Sequence, residues 1–460
     1  MKSGAYNLTE GKIFSTLIRL ALPLMGTSFL QMAYTLMAMS WVGRLGTSTG
    51  ADPEMATKSE AVIGAIGMLL WLTSSVAYLA MIGAEVSVGQ SIGARKLRRA
   101  ATFASQATTI AIIVGIAWVA FLFIFAYPIF SYYGLADDLK SDATLYLRIL
   151  AICLPFQFIS YCLTGVYNGA GRSVIPFRNN AAGLVLNMIL DPILMFTLGL
   201  GLHGAAIGTV VAQLFVFALF FYQIKFGNRI LGNFSFFIKP KTIYIKRILF
   251  LGTPVSIMNS LYAIINITLA RIAYGCGGHL GLMTQTTGGQ IEGVTWNTSQ
   301  GFSTALSAYV AQNYAAGKLE RGKKAYFYTI RVMIVFGIFV SLAFIFFGGQ
   351  IFGIIIPEES AMKAGAEYLF IVGLVQIFMM LELTTQGMFN GIGRTIEPAV
   401  ISISFNVLRI PWALYLSGQM GVVGVWWAIA ISSVCKGTIL PIWFLIIYRW
   451  VDRKKKMRNR

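Results

Sequence analysis

Apolar residues run through this chain in long stretches, and polar residues are confined to short intervals between them. Stretches of about 20 residues or more, long enough to cross a bilayer as helices, fall near 15–43, 60–90, 101–127, 144–168, 176–199 and 203–226. After a basic, aromatic interval the pattern resumes near 248–275, 281–314, 325–347, 364–390, 396–417 and 422–448. The pattern predicts twelve spans in an all-α polytopic membrane protein. Several exceed the bilayer thickness, which requires tilt or an extension beyond it.

Composition agrees with the pattern. The chain of 460 residues is 57% hydrophobic and 12% charged, with a mean hydropathy of +0.72, whereas soluble proteins are roughly 25% charged. The net charge of +19 would suit nucleic acid, but its placement excludes that partner. Basic residues gather in alternate intervals: "ARKLRR" (94–99), Arg172 with Arg178, the stretch from Lys225 to Arg247, "GKLERGKK" (317–324), Arg394 and the C-terminal tail. The other intervals, such as "ADPEMATKSE" (51–60), "ADDLKSD" (136–142) and "PEESAMK" (357–363), are acidic or poor in basic residues. This positive-inside asymmetry places both termini in the cytoplasm and the chain, multi-pass, in the cell (plasma or inner) membrane. It divides the chain into a lead-in (1–14), an N-lobe (15–226), a basic linker (227–247), a C-lobe (248–448) and a basic tail (449–460). The four cysteines and two histidines show no metal-ligand spacing.

The halves repeat. "VGQSIGARKLRR" (88–99) aligns with "VAQNYAAGKLER" (310–321), and "GVYNGAGRSVIP" (165–176) with "GMFNGIGRTIEP" (387–398), both at an offset of 222 residues. In the first span of each half the offset is 231, taking Pro23 to Pro254, so the first half carries nine extra residues, placed in the interval 45–58. Both copies of each motif fall on the basic side, so the repeat is parallel. Two six-helix lobes related by a pseudo-two-fold axis along the membrane normal suit alternating access.

The motifs "SWVGRLG" (40–46), "GAEVSVGQSIGAR" (83–95), "NGAGRSVIP", "LNMILDPIL", "GAAIGTVVAQ" (204–213), "GFSTALSAYVAQNYAAGKLER" (301–321) and "FNGIGRT" (389–395) resemble the multidrug and toxic compound extrusion (MATE) family. Prokaryotic members of the DNA-damage-inducible branch are the nearest in kind. The likeness runs from about residue 8 to 448 and implies cation-coupled export.

Intramembrane polar residues mark the candidate site, because a charge in a span is costly and functional by default. Asp191 lies four residues after Asn187 in "NMILDPILMF", so the two share a helix face. Pro192 has no N–H to bond the carbonyl of Met188. These oxygens suit sodium, or a carboxylate that takes a proton; the plainer alternative is a permanently paired residue that fixes helix packing. The resemblance maps Asn187, Asp191 and Thr209 onto the family's N-lobe cation-binding residues. It also exposes a departure: the family usually has an aspartate where this chain has Ala38. That leaves three accounts, in which Asp191 works alone, coupling lies in the C-lobe, or the residue has been altered in this chain. In the second half, Glu382 in span ten and Glu292 in span eight are candidates for a cavity carboxylate, against the alternative of an interhelical hydrogen bond. Arg409 in span eleven is positioned to neutralise a C-lobe acid, and a salt bridge with Glu382 would make both structural.

The expected function is secondary active antiport: export of an amphipathic, cationic small molecule in exchange for protons or sodium ions. No cofactor is implied, no metal beyond sodium at Asp191, no nucleic acid, and the partners are the substrate and membrane lipid around a monomer. The alternative is a flippase for a lipid-linked precursor, disfavoured by the few arginines and lysines within the spans. An intramembrane enzyme would need a paired nucleophile and base or metal ligands, and the sequence shows neither.

Overall fold

The structure, a computed structural model, describes residues 7–43, 53–132, 137–226 and 234–458. The chain is helical almost throughout. Among the described residues, seven helices precede the linker: α1 (Ile13–Gly43), α2 (Pro53–Gly93), α3 (Leu97–Tyr132), α4 (Asp137–Ala151), α5 (Leu154–Gly169), α6 (Val174–Pro192) and α7 (Gly201–Phe226). Five follow it: α8 (Thr242–Ala315), α9 (Leu319–Gly353), α10 (Glu359–Ile392), α11 (Ile396–Met420) and α12 (Val422–Arg458).

Ten of these helices are long and apolar enough to span a membrane. One of the ten, α8, is two arms that meet at Gly278, whose φ of 58° and ψ of −149° no helix accommodates. Taken as one span, the pair α4 and α5, bent by 52°, makes the eleventh. The sequence reads that last span as one run over 144–168. It breaks instead at Ile152 and Cys153, and Pro155 restarts it in the first turn of α5, where a missing N–H costs nothing. The interval 45–58, expected to hold the nine extra residues, lies partly outside the described residues.

The repeat is visible in atomic contacts. Gly165 and Gly169 of α5 lie against the backbone carbonyls of Met81 and Glu85 in α2, where an added Cβ would come within 2.2 and 2.3 Å. Their counterparts 222 residues on, Gly387 and Gly391 of α10, meet the carbonyls of Ser303 and Ser307 in α8 at 2.3 and 2.7 Å. The two carbonyl positions are themselves 222 residues apart. Helices in lipid gain from such close backbone approach because no hydrophobic force drives their association.

By packing, the chain forms two units. One comprises Met1–Leu8 with Leu22–Ser256, the other Thr9–Ala21 with Ile257–Arg460. The lobes thus differ from the spans of sequence expected at 15–226 and 248–448, because the first turns of α1 and of α8 each pack with the other half. In the first unit Phe130, Leu147, Leu154 and Met195 form a core between α3, α4, α5 and the turn after α6. There too the linker is strapped to α3. Gln106 donates to the carbonyl of Lys239 at 2.9 Å and accepts from the N–H of Lys241 at 3.1 Å, while Ser105 accepts from the N–H of Ser235 at 2.9 Å. In the second unit Trp426, Tyr368 and Phe352 centre the core, and Lys318 and Arg321 donate to the carbonyls of Thr9 and Gly11, each at 3.0 Å.

Candidate functional site

In the first unit, α6 presents Asn187 and Asp191 one turn apart, 3% and 1% exposed. Tyr34 of α1 joins them: its hydroxyl donates to Asp191 Oδ2 at 3.4 Å, and Asn187 Nδ2 donates to the same hydroxyl. The remaining oxygen of each side chain, Asp191 Oδ1 and Asn187 Oδ1, is buried without a hydrogen-bond partner. Buried oxygens are rarely left so. Both converge on Gly208 of α7, where a Cβ would lie 2.6 Å from Asp191 Oδ1 and 3.5 Å from Asn187 Oδ1. Only a residue without a side chain leaves that space open.

Thr209 adjoins this floor, half-buried and near enough to the Tyr34 hydroxyl to interact with it. Its own hydroxyl donates to the carbonyl of Ala205 at 3.0 Å. The structure therefore brings Asn187, Asp191 and Thr209 together and adds Tyr34 and Gly208. Ala38 lies in α1, but its side chain is outside the described residues. Past Pro192 the helix widens into a π-turn, Ile193–Thr197, closed by the N–H of Leu198 on the carbonyl of Ile193 at 2.9 Å. Such turns recur at functional positions.

The residues present fit a small cation. A carboxylate oxygen and an amide oxygen, both lacking donors, lie side by side against Gly208 and next to a helix irregularity. Hard cations take oxygen ligands, and a proton on Asp191 would satisfy the same orphan oxygen.

The second unit holds a larger polar cluster, and the salt bridge weighed for Glu382 forms there with a different partner. Glu382 of α10 pairs with Lys436 of α12, not with Arg409: Lys436 Nζ is 3.0 Å from Glu382 Oε2. Ser402 of α11 donates to Glu382 Oε1 at 2.7 Å, so both carboxylate oxygens are used. Arg409 turns elsewhere. Its Nε donates to Ser432 Oγ at 2.9 Å, an Nη donates to Ser433 Oγ at 3.4 Å, and the guanidinium lies 5.8 Å from the Tyr262 ring. The reason is reach: the long lysine stem on α12 arrives at Glu382 while the arginine fork is held by two serines of that same helix.

Glu292 of α8 is only partly buried. Its carboxylate receives two long bonds, from Tyr368 Oη at 3.4 Å and Gln376 Nε2 at 3.5 Å, and feels the charges of Arg409 and Lys436 without contacting either.

Three participants escaped the sequence reading. Tyr34 and Gly208 carried no charge to mark them. Lys436 did carry one, within the apolar run of span twelve, and the rule that flagged the acids flags it equally.

A family model described as MatE matches the chain twice, over residues 23–193 and 254–415. A probable multidrug resistance protein NorM of Thermotoga maritima is 24% identical, the match covering 98% of this chain and 96% of that protein. A multidrug export protein MepA of Staphylococcus saprophyticus is 21% identical over 97% and 96% of the two chains. Among solved structures, that of MATE in complex with MaL6 superposes with a TM-score of 0.90 at 21% identity, covering 98% of this chain and all of that one, 100%.

Proposed function

This chain belongs to the MATE family, a transporter and not an enzyme, and from that premise we propose that it exports amphipathic, cationic small molecules in exchange for a proton or a sodium ion. The observation that carries the reading is the pair of orphan oxygens, Asp191 Oδ1 and Asn187 Oδ1, facing Gly208. A cation entering that space meets two unused acceptors. Tyr34 holds the other ends of the same two side chains, so the oxygens are positioned before the ion arrives. The multidrug designations of the NorM and MepA relatives support the substrate class.

Asp191 supplies a single charge, since the sequence has Ala38 where the family usually has an acid. One monovalent cation neutralises it. Alternating access then follows if the neutral and charged forms favour different arrangements of the chain, because a ligand shifts an equilibrium only through its differential affinity. A charge crossing the full potential supplies about 2.3 kcal/mol per 100 mV. Thr209 completes the cation site, and Glu292 is the C-lobe acid that keeps some accessible surface. The basic residues in alternate intervals support a reading in which the protein is a monomer of the cell membrane with both termini cytoplasmic.

The test is transport of the lipophilic cation tetraphenylphosphonium in proteoliposomes with pH and sodium gradients imposed separately. Uphill movement driven by one gradient supports antiport and identifies the ion. Movement that never exceeds equilibrium would refute it.

A further inference from the structure

The oxygens left without donors in the N-lobe site belong to Asn187 and Asp191, and the positions that correspond to these two residues in the second unit carry neither a carboxylate nor an amide. At the offset of 222, Pro176 corresponds to Pro398, Asn187 to Arg409 and Asp191 to Ala413. All six positions are buried, so the register holds in packing as well as in sequence. At the first-span offset of 231, Tyr34 corresponds to Ile265. Where the first half assembles a carboxylate, an amide and a phenol, the second offers a methyl, a guanidinium and a branched alkyl group.

The acids of the second unit stand elsewhere, and they are compensated from within. Glu382 spends Oε2 on Lys436 Nζ and Oε1 on Ser402 Oγ. Glu292 faces the charges of Arg409 and Lys436. Around these groups α8 contributes Tyr262, Glu292 and Thr295; α10 contributes Tyr368, Gln376 and Glu382; α11 contributes Ser402 and Arg409; α12 contributes Ser432, Ser433 and Lys436. Two carboxylates and two cationic side chains sum to zero.

We propose that Lys436 and Arg409 are tethered counter-ions that stand in the C-lobe where an exchangeable cation would otherwise bind, so that the lobe takes up no coupling ion. Lys436 is the decisive one, because its ammonium sits on the carboxylate itself. Removing it leaves Glu382 with one serine donor and an unpaired charge inside a span. Such a charge does not remain bare, and Glu382 then recruits sodium or a proton. The inference rests on the reading of Asp191 as the coupling site, and its test keeps the two apart.

Charge displacement is recorded from proteoliposomes on a solid-supported membrane during a sodium chloride jump at fixed pH and a pH jump at fixed sodium, with no exported substrate. Comparing the unmodified protein with Asp191→Asn tests the N-lobe reading, and the displacement is expected to vanish. Adding Lys436→Met to Asp191→Asn tests the present one: displacement returns, and it is lost again when Glu382→Gln is added. A displacement in Asp191→Asn that Glu382→Gln removes while Lys436 is intact overturns the proposal. So does a silent, monodisperse Asp191→Asn/Lys436→Met protein. Should Lys436→Met prevent folding, Lys436→Met/Glu382→Gln keeps the buried pair neutral and must retain the unmodified displacement; its loss overturns the proposal equally.

Discussion

Replacing Gly208 with alanine isolates the space between the orphan oxygens from every charge around it. The added methyl would lie 2.6 Å from Asp191 Oδ1 and 3.5 Å from Asn187 Oδ1, inside the volume a bound cation needs. Two effects on stability oppose each other. Alanine favours a helix interior over glycine by about 1 kcal/mol, while overpacking costs about 1–3 kcal/mol. The net loss is therefore at most about 2 kcal/mol, and the protein should still insert and purify. The effect on the ion is larger. Losing one charged ligand contact is worth about 1.5–3 kcal/mol, or roughly a 10- to 150-fold rise in the half-saturating cation concentration. Tetraphenylphosphonium transport in proteoliposomes, measured against graded sodium or proton gradients, reads this directly. Gly289→Ala is the control, since nothing lies within 4 Å of its added Cβ. An unchanged cation dependence in folded Gly208→Ala would refute the assignment of the two oxygens as the ion site.

Other substitutions test the remaining links. Asp191→Asn should abolish or strongly reduce coupled export while leaving insertion intact, checked by transport beside size-exclusion profiles. Tyr34→Phe removes the hydroxyl that serves both Asn187 and Asp191, and should weaken cation dependence by roughly tenfold, about 1.4 kcal/mol, in the same assay. Ser402→Ala strips a donor from the buried Glu382 carboxylate and should cost about 1.5–3 kcal/mol, seen as a lower midpoint of thermal unfolding in detergent. Gly165→Ala drives a methyl onto the Met81 carbonyl at 2.2 Å, and its unfolding midpoint should fall further than that of Gly208→Ala.

Much of the architecture was legible because lipid imposes a one-dimensional rule. A span must be apolar and long, so hydropathy located nearly every helix, and the exact 222-residue offset made the repeat plain. The bend between Ala151 and Leu154 and the π-turn after Pro192 were not legible, although Pro155 and Pro192 stood beside them. A proline announces an irregularity without saying which form it takes. The site divides in the same way. Asn187 and Asp191 could be joined from spacing alone, being one turn apart on one helix. Gly208 could not, because its role is to leave room for atoms of another helix. Lys436 against Arg409 as the partner of Glu382 depends on helix rotation and stem length, which sequence spacing within a helix does not encode.

The clamp on the lead-in has a consequence in time. Thr9 and Gly11 are held by Lys318 and Arg321, and the Thr9 contact spans 309 residues of chain. At synthesis rates of about 5–20 residues per second, roughly 15–60 s separate the emergence of Thr9 from that of its partner. During that interval the first turns of α1 have been made but their native neighbours have not. The lead-in is therefore among the last parts to find its place, and a nascent chain cut short before residue 318 should leave that segment open to protease attack.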